Sequence, residues 1–154
     1  MSKLKEGDPA PAIDAVDQHG KKITLAEYRG KKVVLYFYPK DNTPGCTAEA
    51  CNLRDNYSKF LSQGFEVIGV SADSEKSHQR FIGKYELPFR LISDVDKKVM
   101  KDYEAWGEKR LYGKSFLGIL RKTYIISEEG TIEKIIEKVI TKDHSKQIFE
   151  ELSH

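Results

Sequence analysis

Val33-Val34-Leu35-Tyr36-Phe37-Tyr38-Pro39-Lys40-Asp41-Asn42-Thr43-Pro44-Gly45-Cys46-Thr47-Ala48-Glu49-Ala50-Cys51 is the stretch on which the reading of this chain turns. Its first six residues are apolar without a break, the pattern of a central strand buried on both faces. Thr43-Pro44 then marks a helix start. A threonine hydroxyl can cap orphan amides, and proline at the first helical position loses nothing because its N–H would be unpaired anyway. Cys46 therefore falls in the first turn, where free amides and the helix dipole favour the thiolate over the thiol. The thiolate is the nucleophile, so the stretch reads as a thiol redox site. The plainer reading of a free cysteine is a small buried hydrophobe. A place in a first helical turn, just past a strand end, weighs against it.

Cys51, the second of two cysteines, lies in the same expected helix. Positions i and i+5 sit about 140° apart around the axis and ~7.5 Å apart along it, a Cα separation of roughly 8.5–9 Å. A disulfide needs about 4.4–6.8 Å. The two sulfurs cannot bond while the helix is intact, and if they do bond its first turns must unwind. A static staple would close a tiny loop and strain the helix. Cys51 could equally sit in the core beside Leu53, Tyr57, Phe60 and Leu61, the apolar residues of a helix expected over Thr43–Gln63.

Upstream, Ala12–Val16, a turn at Asp17-Gln18-His19-Gly20 and Lys22–Leu25 suggest an N-terminal β-hairpin, with a short helical turn over Leu25–Tyr28. Downstream, Phe65–Ser71 is a strand. Ser74 starts a helix to Tyr85 with Phe81, Ile82 and Tyr85 inward and His78 on the solvated side. Phe89–Ser93 is a short strand, and Asp94–Tyr103 a helix with Val99, Met100 and Tyr103 inward. Residues 105–118 contain three glycines and no clear period, and read as a loop in which Trp106, Tyr112 and Phe116 either line the approach to the site or pack the loop down. Gly113-Lys114-Ser115 is like the end of a phosphate loop, but the spacing back to Gly107 is one residue too long and a strand follows. Lys122–Ser127 and Thr131–Ile136 form a second hairpin, and Asp143 caps a C-terminal helix carrying Ile148, Phe149 and Leu152.

These elements describe one α/β domain over residues 1–154, a mixed sheet flanked by helices. Ligands of such sheets gather beyond the carboxyl ends of the strands, where Pro39–Cys46 falls. With 39% hydrophobic and 32% charged residues the composition is that of a soluble globular protein. A net charge of +2 gives no reason to expect nucleic acid or an anionic membrane. The N-terminus has no apolar signal core and no run reaches transmembrane length, so a cytoplasmic location is expected. Two cysteines there point to redox or catalytic use. The four histidines are scattered, and no Cys/His spacing suggests a metal.

Pro39-x-x-x-Thr43-x-x-Cys46 matches the peroxiredoxin active-site motif. With Cys51 five residues on, and Trp106-Gly107-Glu108-Lys109 and Tyr112-Gly113-Lys114 downstream, the chain resembles the bacterioferritin-comigratory-protein (peroxiredoxin Q) subfamily along nearly its whole length. The resemblance implies a thioredoxin-like fold and a thiol peroxidase. Cys46 would be the peroxidatic cysteine and Cys51 the resolving one, the pair closing an intrachain disulfide that thioredoxin reduces. Thr43 would hydrogen-bond the thiolate and the peroxide through its hydroxyl, and Pro39 would shield the site. Arg121 matches the family's arginine that holds the thiolate and polarises the peroxide, in keeping with what a permanent guanidinium charge does. On its own Arg121 reads as a surface residue. Glu49, one turn beyond Cys46, could orient Arg121 or simply flank the helix. No haem, flavin or metal is required, and the subfamily favours a monomer. Two other readings stay open: a protein thiol–disulfide oxidoreductase, against which the Cys-x-x-x-x-Cys spacing speaks, and a redox sensor whose oxidised helix changes a partner surface. Hydrogen peroxide and organic hydroperoxides are both compatible substrates, and glutaredoxin is an alternative reductant.

Overall fold

The computed structural model describes residues 3–153. Met1 and Ser2, the start of the segment read for a signal, and His154 lie outside the described residues. A hairpin of β1 (Asp14–Val16) and β2 (Lys22–Thr24) opens the chain, followed by a single 3-10 turn at Ala26–Tyr28. The main elements are β3 (Lys32–Phe37), α1 (Pro44–Asp55), α2 (Tyr57–Ser62), β4 (Phe65–Ser71), α3 (Glu75–Tyr85), β5 (Arg90–Ser93) and α4 (Lys98–Asp102). Then come β6 (Trp106–Leu111), β7 (Lys114–Ile119), β8 (Lys122–Ile126), β9 (Ile132–Ile136) and α5 (His144–Leu152). Five strands make the central sheet in the order β5-β4-β3-β8-β9. β3 pairs in parallel with β4 and antiparallel with β8, so the expected mixed sheet is present.

The unbroken apolar run of β3 is explained by its place in the middle of that sheet. Val33, Leu35 and Phe37 enter one core with β1–β2, α4 and Tyr124. Val34, Tyr36 and Tyr38 enter the other with residues of α1, α2, α3 and α5. Successive side chains alternate faces, so a strand covered on both sides has no polar face to show. Gly69, opposite Tyr36 in the register, makes room there. A Cβ on it would lie 2.9 Å from the Tyr36 ring and 2.7 Å from Leu91 Cδ2.

Several local expectations need correction. The single helix from Thr43 to Gln63 is two, broken at Asn56, whose ψ of 10° is not helical. The helix expected from Asp94 begins at Lys98. Asp94 instead folds back, its carboxylate accepting from the amides of Val99 (3.1 Å) and Met100 (2.9 Å). Asp143 occupies the cap position of α5 without a side-chain capping bond.

Residues 105–118 are not a loop: β6 and β7 form a separate antiparallel hairpin. It turns at Tyr112-Gly113, both at positive φ (52° and 76°), the two-residue turn whose twist suits paired strands. Tyr112 at its tip is 95% exposed, so it does not pack the segment down. No helix among the described residues is long and apolar enough to cross a membrane.

Candidate active site

The site is built where β3 ends. Tyr38 is still buried, Pro39 is half-buried, and the chain crosses Asp41, Asn42 and Thr43 into α1. Pro44 is the first residue of α1 and Thr43 its extended N-terminal cap (φ −100°, ψ 155°). The Thr43 side chain makes no capping bond, contrary to expectation. Its hydroxyl donates to the Lys40 carbonyl at 2.8 Å. That hydroxyl proton is engaged, while the oxygen keeps lone pairs able to accept an O–H.

Cys46 stands in the first turn of α1, 1% exposed. Arg121 is delivered by the residue just before β8, which lies beside β3 in the sheet. Its Nη2 donates to Cys46 Sγ at 3.3 Å and its Nη1 to Glu49 Oε1 at 2.8 Å. Burial works against the Arg121 charge, but the adjacent sulfur and carboxylate outweigh it and hold the guanidinium protonated. The structure thus brings Cys46, Glu49 and Arg121 into direct contact.

Cys51 lies further along the intact α1, half-buried and unbonded. Around it α1 is strapped to the C-terminal segment. Asn52 Oδ1 accepts from the Ser145 amide at 2.7 Å, and its carbonyl accepts from the Ser145 hydroxyl at 3.2 Å. Unwinding α1 as far as Cys51 would load this strap.

Two residues join the site that sequence reasoning passed over. His144, at the start of α5, is fully buried with Nε2 3.6 Å from Glu49 Oε2. Its Nδ1 faces Gln147 Oε1 at 2.8 Å, an oxygen that can only accept, so Nδ1 carries the proton. Nε2 is then free to accept from the Thr123 hydroxyl, 2.8 Å away. Burial pushes the His144 imidazole down to about 4 and the Glu49 carboxyl up to about 7, in spite of Arg121. Glu49 Oε2 has no hydrogen-bond partner. Lys109 of β6 is half-buried, and its stem passes over Gly118, where a Cβ would come within 3.0 Å of Cδ. Burial and the Arg121 charge hold its ammonium below the usual lysine range, while the Cys46 sulfur supports it.

A buried sulfur at a helix N-terminus, held by a permanent cation, is equipped for nucleophilic attack with stabilisation of developing negative charge. Comparison with known proteins agrees. Residues 6–135 match the AhpC/TSA family. Peroxiredoxin Bcp of Bacillus subtilis is 42% identical over 149 residues, 97% of this chain and 95% of that protein. Peroxiredoxin Bcp of Escherichia coli K12 is 41% identical over 94% of this chain and 92% of its own length. Among solved structures, a cysteine-to-serine variant of Xylella fastidiosa PrxQ aligns with a TM-score of 0.91 at 31% identity, covering 99% of this chain and 98% of that one. A Xanthomonas campestris peroxiredoxin Q variant aligns at 0.85 with 36% identity over 92% and 90%. Fold, site and relatives converge, and the chain belongs to the AhpC/TSA family, within its Bcp (peroxiredoxin Q) group of thioredoxin-fold peroxiredoxins.

Proposed function

We propose that this protein is a thiol peroxidase that reduces hydrogen peroxide and organic hydroperoxides and is recycled by thioredoxin. The observation that carries the reading is the Arg121 guanidinium donating to Cys46 Sγ in the first turn of α1. The Cys46 thiolate attacks the distal oxygen of the peroxide and the O–O bond breaks. Sulfur takes the hydroxyl as a sulfenic acid, and the other oxygen leaves as alkoxide or hydroxide and takes up a proton. Arg121 stabilises charge as it moves from sulfur to the leaving oxygen. The Thr43 oxygen, its hydroxyl proton engaged by the Lys40 carbonyl, accepts the peroxide O–H, and Pro39 covers the approach.

Cys51 then attacks the Cys46 sulfenic acid, expelling water and closing an intrachain disulfide. Because the two cysteines lie five positions apart in one helix, this step requires the first turns of α1 to unwind. Thioredoxin supplies the two electrons that restore both thiols.

The test is peroxide consumption by the reduced protein with thioredoxin, thioredoxin reductase and NADPH. Sustained turnover is expected, abolished in Cys46→Ser. The Cys51→Ser variant should form a sulfenic acid once and then stall. Full thioredoxin-dependent turnover in Cys51→Ser would remove Cys51 from the mechanism, and a single stoichiometric oxidation of the unsubstituted protein would favour a sensor.

A further inference from the structure

Between Pro39 and Thr43 the chain is held by a residue that faces away from the reaction. Asp41 is buried. Its Oδ1 accepts from the Tyr38 hydroxyl at 2.5 Å, and its Oδ2 accepts from the Ser77 hydroxyl at 2.8 Å. The same Oδ2 lies 2.7 Å from His78 Nδ1. The Asp41 amide donates to Asp73 Oδ2 at 2.8 Å, an oxygen that also accepts from the Ser71 hydroxyl at 2.6 Å. Next to it Asn42 takes a left-handed conformation (φ 58°), and its Oδ1 accepts from the Tyr85 hydroxyl.

His78 was expected on the solvated face of α3, and the structure places it fully buried. Its Nε2 faces the Ile92 carbonyl at 2.9 Å. A carbonyl can only accept, so Nε2 carries a proton and the ring bridges β5 to Asp41. Asp41, Asp73 and His78 are close enough together to suggest a cation site. Both Asp41 oxygens and both His78 nitrogens are, however, already matched to protein groups, the arrangement of an anchor.

We propose that Asp41 and His78 are positioning residues of the peroxide step, fixing the Pro39–Thr43 segment so that the Thr43 oxygen meets a peroxide in line with the Cys46 sulfur. Lys40, whose carbonyl holds the Thr43 hydroxyl, immediately precedes Asp41. A shift of Asp41 therefore moves the Lys40 carbonyl and with it the Thr43 oxygen. Neither Asp41 nor His78 hydrogen-bonds to Cys46 or Arg121, so the thiolate keeps its cation when the anchor is lost. The inference rests on the peroxidase reading and deepens it: the anchor serves attack on peroxide, not thiolate reactivity in general.

The experiment uses two reagents on the same sulfur, in a Cys51→Ser background so that Cys46 alone reports. Oxidation by hydrogen peroxide is followed by stopped-flow fluorescence of Trp106, and alkylation by iodoacetamide by mass spectrometry. His78→Leu should slow peroxide oxidation by roughly 10- to 100-fold, the cost of a misplacement near 1 Å. Alkylation should stay within about twofold, because the thiolate and its arginine are untouched. His78→Asn, whose amide can still donate to Asp41, should recover most of the peroxide rate. A wild-type peroxide rate in folded His78→Leu, or an equal fall in both rates, would overturn the proposal. If His78→Leu does not fold by circular dichroism, the near-isosteric Asp41→Asn decides by the same two rates. Should the unsubstituted Cys46 react no faster with peroxide than with iodoacetamide, the peroxidase reading falls and the anchor's role with it, an outcome visible before any anchor variant is made.

Discussion

Two buried carboxylate–histidine pairs lie along the segment that carries Cys46, and they are built on opposite plans. Asp41 and His78 meet at 2.7 Å, with both carboxylate oxygens and both ring nitrogens partnered. Glu49 and His144 stand 3.6 Å apart, too far for a hydrogen bond. There Oε2 of Glu49 is left without a partner, and Arg121 is shared with the Cys46 sulfur. Burial raises the Glu49 carboxyl to about 7 and lowers the His144 imidazole to about 4, so a proton goes to the carboxyl before the ring. A pair closed at hydrogen-bond distance makes a fixed post. A pair left open beside a single shared cation leaves a carboxyl whose charge changes at about 7.

The largest effect should come from breaking the closed pair. Asp41→Ala strands the Tyr38 and Ser77 hydroxyls and the His78 ring in the core and should cost about 3–5 kcal/mol, since each buried polar group left unpartnered costs about 1–3 kcal/mol. Urea denaturation measures it, and a loss below about 1 kcal/mol would show that the post bears little weight. On the open side, Arg121→Met should lower the peroxide rate by roughly a hundredfold or more, read in single-turnover kinetics. An unchanged rate would end its assignment.

Glu49→Gln sharpens the contrast through pH. Folded Glu49 holds its proton up to about 7 against 4.5 unfolded, so its contribution makes stability fall as pH rises from 4.5 to 7. His144 takes a proton at 6.5 unfolded but only near 4 folded, so its contribution makes stability rise over pH 4 to 6.5. In the native protein the two slopes oppose each other between 4.5 and 6.5. Glu49→Gln leaves the His144 slope alone, and the unfolding free energy from urea denaturation should climb from pH 4 to 6.5 by at most about 3 kcal/mol. A flat profile would mean that His144 is not held neutral.

The smallest effect is expected from Asn52→Ala, which cuts the Ser145 link that seats His144 beside α1. It should cost about 1 kcal/mol. It should also quicken closure of the Cys46–Cys51 disulfide, seen as the second phase after peroxide addition.

What the sequence showed of this site follows the range of the forces involved. Pro44, the helix start and Cys46 obey rules acting within one turn, and the unbroken run of β3 announces a strand covered on both sides. Arg121 lies 75 residues from its sulfur and reaches it only through the pairing of β3 with β8, so resemblance alone pointed to it. His78 was misread although the spacing held a signal. It stands three, four and seven residues before Phe81, Ile82 and Tyr85, squarely on the apolar stripe of α3. His144, where a 3-10 turn becomes α5, stands four and eight residues before Ile148 and Leu152, on the apolar stripe of that helix, so its spacing held the same signal. The β6–β7 hairpin escaped because its side chains are exposed along most of β7, leaving only the Tyr112-Gly113 turn as a sign.

The central place of β3 has a consequence for the working cycle. Paired on both edges and covered on both faces, its amides belong to the last unit of the chain to exchange with solvent, opening only when the whole domain does. If Cys46 and Cys51 pair as proposed, the first turns of α1, joined to that strand by the short Tyr38–Thr43 link, must open and close without it. On the proposed mechanism each turnover would then be a sub-global excursion of one helix end, against a sheet that keeps its deuterium clock undisturbed.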